Sequence, residues 1–177
     1  MNIYEHFSPQ EREVLRKRAE RLARPIEDHE VEDAFSALIV SIGSESYAIP
    51  TDLIAGVYED AVFVPVPCVP SFIAGITNIR GHILTVLDLA SFLNVANESV
   101  AAKTLVVIAH DDLRVAFAVA EAGGTRTVSA ASFAPIPDST KLAQKGHLRG
   151  LLVDGTALLD VETILNESTE RINAESH

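Results

Sequence analysis

Residues 69–89 read VPSFIAGITNIRGHILTVLDL, and this stretch decides the fold. Gly75 and Gly81 bracket a segment that must turn sharply and leave room for a neighbouring backbone, because glycine fits where a Cβ would clash. Asn78 can hydrogen-bond its own backbone in such a turn, and Arg80 brings five N–H donors to the edge of an apolar window. The residues therefore predict that the centre of the stretch lies at the surface.

Outward from this stretch, residues 34 onward form short apolar runs separated by Gly, Pro, Asn and Asp, which is typical of an all-β protein. The runs are AFSALIVSI, YAI, AVFVPV, ILTVL, LVVIA, RVAFAVA and ALL. Residues 43–46 and 110–112 each separate two runs, so we expect hairpin turns there. Short helices are expected at residues 71–74 and after two aspartates.

Those aspartates belong to an internal repeat. LDLASFLN at residues 87–94 matches LDVETILN at residues 159–166 in residue class at nearly every position, and each copy follows a strand introduced by glycine. The chain therefore has two similar halves. Asp88 and Asp160 are each placed to accept backbone N–H groups at the start of a helix, so we interpret them as helix caps and not as catalytic acids.

Residues 69–89 resemble the P-x-F-[IV]-x-G-[IV]-x-N-[LI]-R-G-x-I-x-x-V-x-D-L signature of the CheW-like family. FSALIVSIGSESYAIP upstream is similar to the family's opening hairpin, and GLLVDGTALLDVETIL downstream to its closing strand and helix, so the likeness spans residues 34–166. The resemblance implies an all-β fold of two packed five-stranded SH3-like barrels with short helices and no bound cofactor. It also implies a non-enzymatic adaptor that bridges the cytoplasmic tip of chemoreceptors and the regulatory domain of a CheA-type histidine kinase.

The family's arginine, here Arg80, commonly lies near an acid from a V-x-E-V segment and helps to shape the partner-facing surface. Residues 54–57 of this chain read IAGV, so a glycine replaces the acid. Either Glu59 or Asp60 reaches back to Arg80, or the guanidinium is free for a partner's carboxylate, or local carbonyls satisfy it. The predicted partner-binding residues are Ile54, Gly56, Val57, Gly75, Asn78, Arg80 and Gly81.

A second departure concerns partner choice. Glu121 and Gly123 stand where the family more often has V-D-x-V. A paralogue that scaffolds a receptor array outside chemotaxis is therefore an alternative to the chemotaxis adaptor.

Composition excludes several other classes of protein. The formal net charge of −11 opposes nucleic-acid binding, which depends on Lys and Arg. The single cysteine, Cys68, excludes an internal disulfide, and the six histidines lack metal-ligand spacing, so solvated or hairpin positions are expected for them. Phosphate-binding loops and nucleophile motifs are missing, which leaves an unrecognised small-molecule enzyme as the remaining alternative; a buried pocket with convergent titratable groups would favour it. No apolar run approaches the roughly 20 residues that a membrane span needs, so we expect a cytoplasmic protein without direct membrane insertion.

Residues 1–33 are predicted to form a separate extension before the body at residues 34–177. Residues 8–23 begin with a capping box and should form a helix that ends before Pro25, and the acidic stretch at residues 27–33 reads as a linker. The basic residues of this helix could be solvated, dock on a partner helix or rest on anionic lipid.

Overall fold

The computed structural model describes residues 34–95, 104–134 and 146–175, so the predicted N-terminal helix and acidic linker lie outside the described residues. The described elements are β1 (Phe35–Ile42), β2 (Glu45–Pro50), β3 (Ile54–Glu59), β4 (Ile73–Ile79), β5 (His82–Asp88), α1 (Leu89–Leu93), β6 (Thr104–His110), β7 (Leu113–Val119), β8 (Glu121–Val128), β9 (Phe133–Ala134), β10 (Leu148–Leu152), β11 (Ala157–Leu159) and α2 (Val161–Glu175). Short 3-10 helices occupy Thr51–Leu53 and Ala130–Ser132. The prediction of a mainly β fold with short helices is confirmed.

The strands form two sheets that exchange strands between the halves of the chain. One sheet has the order β8-β1-β2-β11-β10-β9, and the other has the order β3-β6-β7-β5-β4. Strand β3 follows the β1–β2 hairpin but pairs with β6, whereas β8 follows the β6–β7 hairpin but pairs with β1. Each closing strand, β5 or β11, lies parallel to the second strand of a hairpin, β7 or β2. The two halves of the chain are therefore equivalent in topology but interlaced.

The two predicted barrels correspond to these two sheets; in the part of the chain that the structure describes, one has five strands and the other six because β9 adds a two-residue edge. The interior of the five-stranded sheet is a buried cluster centred on β5, β6 and β7, and both edge strands pack on it, β3 through Tyr58 and β4 through Ile79. An open flat sheet could not bring its two edges to one cluster. The sheet therefore curls around its own core.

A larger core lies between the sheets. It joins apolar side chains of β1 and β2 to those of β6 and β7, and both helices pack on it. Its largest fully buried members are Tyr47, Ile42, Ile49, Phe72, Leu87, Leu89, Phe92, Ile108 and Phe117. Burying a side chain of this size contributes about 1.5–3 kcal/mol, so this central layer is the main source of stability.

The predicted hairpin turns are confirmed. Ile42 pairs with Glu45 around a turn that contains Gly43, whose φ is +60°, and His110 pairs with Leu113 around Asp111 and Asp112.

The short helix expected at residues 71–74 is wrong. Strand β4 begins at Ile73, which pairs with Leu87, so its backbone belongs to the sheet. The run AVFVPV is also not a strand, since it makes a single bridge between Val64 and Ile76. Pro65 has no N–H donor and cannot extend the ladder.

Candidate functional site

The β4–β5 hairpin presents the arginine of the motif at its tip. Ile79 pairs with His82, which leaves Arg80 and Gly81 as the two central residues of the turn. Their φ angles are +52° and +85°, as a type I′ turn requires, and this turn matches the twist of the flanking strands. The backbone N–H of Gly81 donates to Oδ1 of Asn78 at 2.9 Å. Asn78 therefore fixes the turn that exposes Arg80.

Gly75 lies within β4 and serves a different purpose from Gly81. Its φ is +154°, and a Cβ placed there would lie 2.7 Å from the carbonyl carbon of Val64 and 3.1 Å from Cα of Pro65. Val64 donates its N–H to Ile76 O at 2.8 Å and accepts the N–H of Ile76 at 2.9 Å. Gly75 therefore lets the segment at residues 62–66 lie directly against β4.

This crossing segment and the hairpin together expose an apolar area. The relative exposures are 82% for Val62, 63% for Val64 and 72% for Ile83, and Ile76 is also exposed. Val64 pairs with Ile76, and Ile83 pairs with the exposed Asn78, two residues further along β4. Val62 lies in the same crossing segment, where its carbonyl accepts the hydroxyl of Thr77 at 2.8 Å. We call the group Val62, Val64, Ile76, Asn78, Arg80 and Ile83 the hairpin surface. Sequence reasoning missed its valines and isoleucines, since exposure of an apolar strand residue depends on which face the sheet buries.

Arg80 has no internal counterion among the described residues. Among residues 34–95, 104–134 and 146–175, its guanidinium makes no hydrogen bond or ion pair. Glu59 and Asp60 are both exposed at the end of β3, and neither reaches it. A solvent-exposed guanidinium without these contacts retains all five donors for a carboxylate from another molecule.

The remaining predicted partner residues, Ile54, Gly56 and Val57, lie on β3, at the opposite edge of the sheet from β4. Val57 is exposed and the other two are partly buried. Gly56, which replaces the family's acid, is covered by the ring of Tyr58: an added Cβ would lie 2.9 Å from Cε2 and 3.2 Å from Oη. The aromatic ring thus occupies the space that a side chain at position 56 would need.

Asp88 and Asp160 lie at the starts of the two helices. Asp88 accepts the N–H groups of Ala90 at 3.0 Å and of Ser91 at 3.3 Å, as well as the Ser91 hydroxyl at 2.7 Å. Asp160 accepts the N–H of Thr163 at 2.9 Å. Each carboxylate therefore satisfies orphan donors at the positive end of a helix.

His147 departs from the expectation of solvated or hairpin histidines. It is fully buried, and its Nε2 lies 2.5 Å from a carboxylate oxygen of Glu167 on α2. The residue precedes β10, where the backbone carbonyl of His147 accepts the N–H of Asp160 at 2.8 Å. Its ring packs on Phe92 and contacts Glu167, partners that lie far from it in the sequence, so spacing of histidines alone could not reveal this position.

A cleft of about 560 Å³ lies at the β1–β2 and β10–β11 turns, and Glu45, Tyr47 and Asp154 line it. Tyr47 donates its hydroxyl to Glu45 at 2.5 Å, and burial, with the adjacent carboxylate, raises the pKa of Tyr47 above its usual range. Arg126 donates to Asp154 and holds the pKa of that carboxyl well below its usual range. The carboxylates of Glu45 and Asp154 are thus already paired within the chain, with Tyr47 and Arg126 respectively. This pairing does not favour acid–base chemistry in the cleft.

Within the three described ranges, no group of three or more His, Cys, Asp or Glu side chains is arranged to hold a metal ion. The helices described above are too short or too polar to cross a bilayer.

Comparison with known proteins gives consistent matches. Residues 36–169 match the family model of the CheW-like domain. The chain is 29% identical over 138 residues to the chemotaxis protein CheW of Thermotoga maritima, covering 76% of this chain and 90% of that protein. It is 30% identical over 112 residues to Protein FrzA of Myxococcus xanthus, covering 63% of this chain and 69% of that protein. The crystal structure of the scaffolding protein TtCheW from Thermoanaerobacter tengcongensis matches with a TM-score of 0.62 at 19% identity, over 72% of this chain and 88% of that chain, which shows the fold.

Proposed function

Because this chain belongs to the CheW-like domain family, we propose that it is a non-enzymatic adaptor that couples chemoreceptors to a CheA-type histidine kinase. The partners would be the cytoplasmic tip of the receptor and the regulatory domain of the kinase. The protein would act in the cytoplasm and reach membrane arrays through these partners. The similar proteins named for chemotaxis and for scaffolding support this role.

The observation that carries the proposal is the hairpin surface. Four apolar side chains are exposed on the crossing segment and the β4–β5 hairpin, and the tip of that hairpin carries an arginine that has no counterion among the described residues. Contiguous exposed apolar side chains are typical of protein–protein contact sites, and arginine is enriched at the energetic centre of such contacts. A partner segment with apolar side chains and one carboxylate would bury this area and pair with Arg80.

Substitution of Arg80 tests the proposal. Arg80→Asn removes the guanidinium but suits the left-handed backbone conformation, since asparagine tolerates positive φ better than most residues. Arg80→Ala removes the same group without that advantage. We expect either variant to change the free energy of unfolding by no more than about 1 kcal/mol and to weaken partner binding by about 1–3 kcal/mol, roughly five- to a hundred-fold.

The matched control is Arg114→Ala, which removes another exposed arginine from the same sheet, at the β6–β7 hairpin. Titration calorimetry with the purified kinase regulatory domain and with a receptor tip fragment gives the affinities, and urea midpoints give the stabilities. Equal weakening by Arg80→Asn and Arg114→Ala would indicate general charge attraction and contradict the proposal. So would a large loss of stability in Arg80→Asn with unchanged affinity.

A further inference from the structure

The C-terminal helix α2 reaches the base of the β4–β5 hairpin through Arg171. The Cζ atom of Arg171 lies 4.3 Å from the ring centroid of Phe72 and 5.2 Å from that of Phe92. The two rings are fully buried and meet edge to face, with centroids 5.3 Å apart. A planar guanidinium over an aromatic face gains cation–π attraction and packs the ring as well.

Arg171 is itself held by a chain of polar contacts. Glu167, one helical turn earlier, lies 3.7 Å from its guanidinium and 2.5 Å from Nε2 of His147. Because the carboxylate accepts, the imidazole donates through Nε2, and Nδ1 has no hydrogen-bond partner among the described residues. The ring of His147 also packs on Phe92, with centroids 5.2 Å apart. A buried donor fixed by packing therefore sets the position of Glu167, and Glu167 restrains Arg171.

Phe72 connects this cluster to the hairpin. It directly precedes β4, and its carbonyl accepts the N–H of Asp88, the last residue of β5, at 2.8 Å. Both ends of the hairpin thus meet at Phe72, while Arg80 lies at the far tip. Helix α2 follows β11, a strand of the other sheet, so a contact from α2 to Phe72 links the two sheets at the hairpin base.

We propose that Arg171 is a positioning residue for the hairpin surface. From the six-stranded side of the molecule it holds Phe72, and through Phe72 it restrains β4 and β5; the pair of His147 and Glu167 keeps Arg171 in place. Movement of α2 would then be transmitted to the hairpin surface across the two sheets. This inference rests on the proposed function only in its consequence for partner binding.

Native-state amide exchange of the full chain tests the positioning. The amide of Asp88, bonded to Phe72, and the amide of Ile76, bonded to Val64, report on the hairpin. The amide of Leu152, bonded to Thr156, reports on the six-stranded sheet. We expect Arg171→Ala to accelerate exchange at Asp88 and Ile76 about five- to tenfold, and to leave Leu152 within about twofold. The control is Glu170→Ala, an exposed position on the same helix that should change none of the three.

A merely stabilising role would produce a different result, because loss of global stability accelerates all three amides by the same factor. Equal acceleration, or no acceleration, would overturn the proposal.

Two conservative variants add a test that does not remove Arg171. Glu167→Gln should accelerate hairpin exchange less than Arg171→Ala does, since the amide loses the charge but keeps an acceptor. His147→Gln should leave hairpin exchange near the wild-type rate, because the glutamine side-chain N–H can still donate to Glu167. An acceleration as large as that of Arg171→Ala would contradict the proposed order of contacts from His147 through Glu167 to Arg171.

Affinities for the kinase regulatory domain and for the receptor tip fragment separate this inference from the proposed function. Positioning predicts that Arg171→Ala weakens binding of the partner that docks on the hairpin by a factor similar to the change in exchange. Faster hairpin exchange with unchanged affinity for both partners would support the positioning and refute the hairpin surface as the docking site. Unchanged exchange with weaker affinity would refute the positioning and place Arg171 itself in the contact.

Discussion

Replacing Gly75 by alanine should be among the most damaging single-methyl changes in this fold. The new Cβ would meet backbone atoms of Val64 and Pro65, which cannot rotate away as a side chain could. The backbone at φ +154° adds strain of about 1–3 kcal/mol for a residue with a side chain. Separating Val64 from Ile76 would also lose two backbone hydrogen bonds, each contributing about 0.5–1.5 kcal/mol.

Together these effects predict a loss of about 2–6 kcal/mol, a large part of the roughly 5–15 kcal/mol that holds a domain folded. Urea unfolding followed by far-ultraviolet circular dichroism measures it. With a denaturant slope of about 2 kcal/mol/M, the midpoint should fall by about 1–3 M.

Two other glycines separate the backbone strain from the steric clash with residues 64 and 65. Gly81→Ala places a methyl in open space at φ +85°, so it should show the backbone strain alone, about 1 kcal/mol. Gly124→Ala is also in open space and its φ lies outside the left-handed region, so it should stay within about 0.5 kcal/mol of wild type. If Gly75→Ala unfolded within about 1 kcal/mol of wild type, the close crossing of residues 62–66 over β4 would be refuted.

Three further outcomes follow from the helix caps, an ion pair and the domain boundary. Asp88→Ala and Asp160→Ala should each lower the free energy of unfolding by about 0.5–2 kcal/mol in urea titrations. The asparagine variants keep a capping oxygen and should lose little. Equal losses for the alanine and asparagine variants would contradict capping. Because Arg126 lowers the pKa of Asp154, the pair stabilises the fold at neutral pH and loses that contribution as the pH falls below the usual carboxyl value of about 4. Asp154→Asn should therefore cost about 0.2–1 kcal/mol at pH 7, and the difference from wild type should shrink under acid; a constant difference down to pH 2 would exclude this origin. A chain starting at Ala34 should still unfold in one cooperative transition measured by circular dichroism, and a broad, non-cooperative transition would assign residues 1–33 to the folding unit.

The all-β fold, the hairpin turns and the internal repeat could be predicted because each depends on local sequence. Apolar runs and turn residues set the strands, and the repeated leucine–aspartate pair marks both helix starts. Strand β8 escaped prediction because Gly123, Gly124 and the polar residues after them show no apolar run; it forms by pairing with β1, a distant partner. Non-local pairing overrides weak local preference.

The candidate site was less predictable because its geometry also depends on contacts between residues far apart in the sequence. The residues of the hairpin tip could be identified from the motif, but the choice between an internal and an external partner for Arg80 needed the positions of Glu59 and Asp60. The apolar run at residues 61–66 suggested a strand, but it makes only an isolated bridge to β4 and leaves Val62 and Val64 exposed. Burial of His147 depends on α2, which comes later in the chain.

The exchange of β3 and β8 between the sheets has a consequence for how the protein reaches its native state. The five-stranded sheet cannot close until β7 has left the ribosome, and the six-stranded sheet waits for β11. Within the described residues neither half contains a complete barrel, so the apolar strands of the first half wait for partners from the second half. Pairing across such long sequence separations also favours slow folding. The interlacing that ties the two sheets into one body therefore leaves apolar strands of the first half open to aggregation in the nascent chain until their partners in the second half are made.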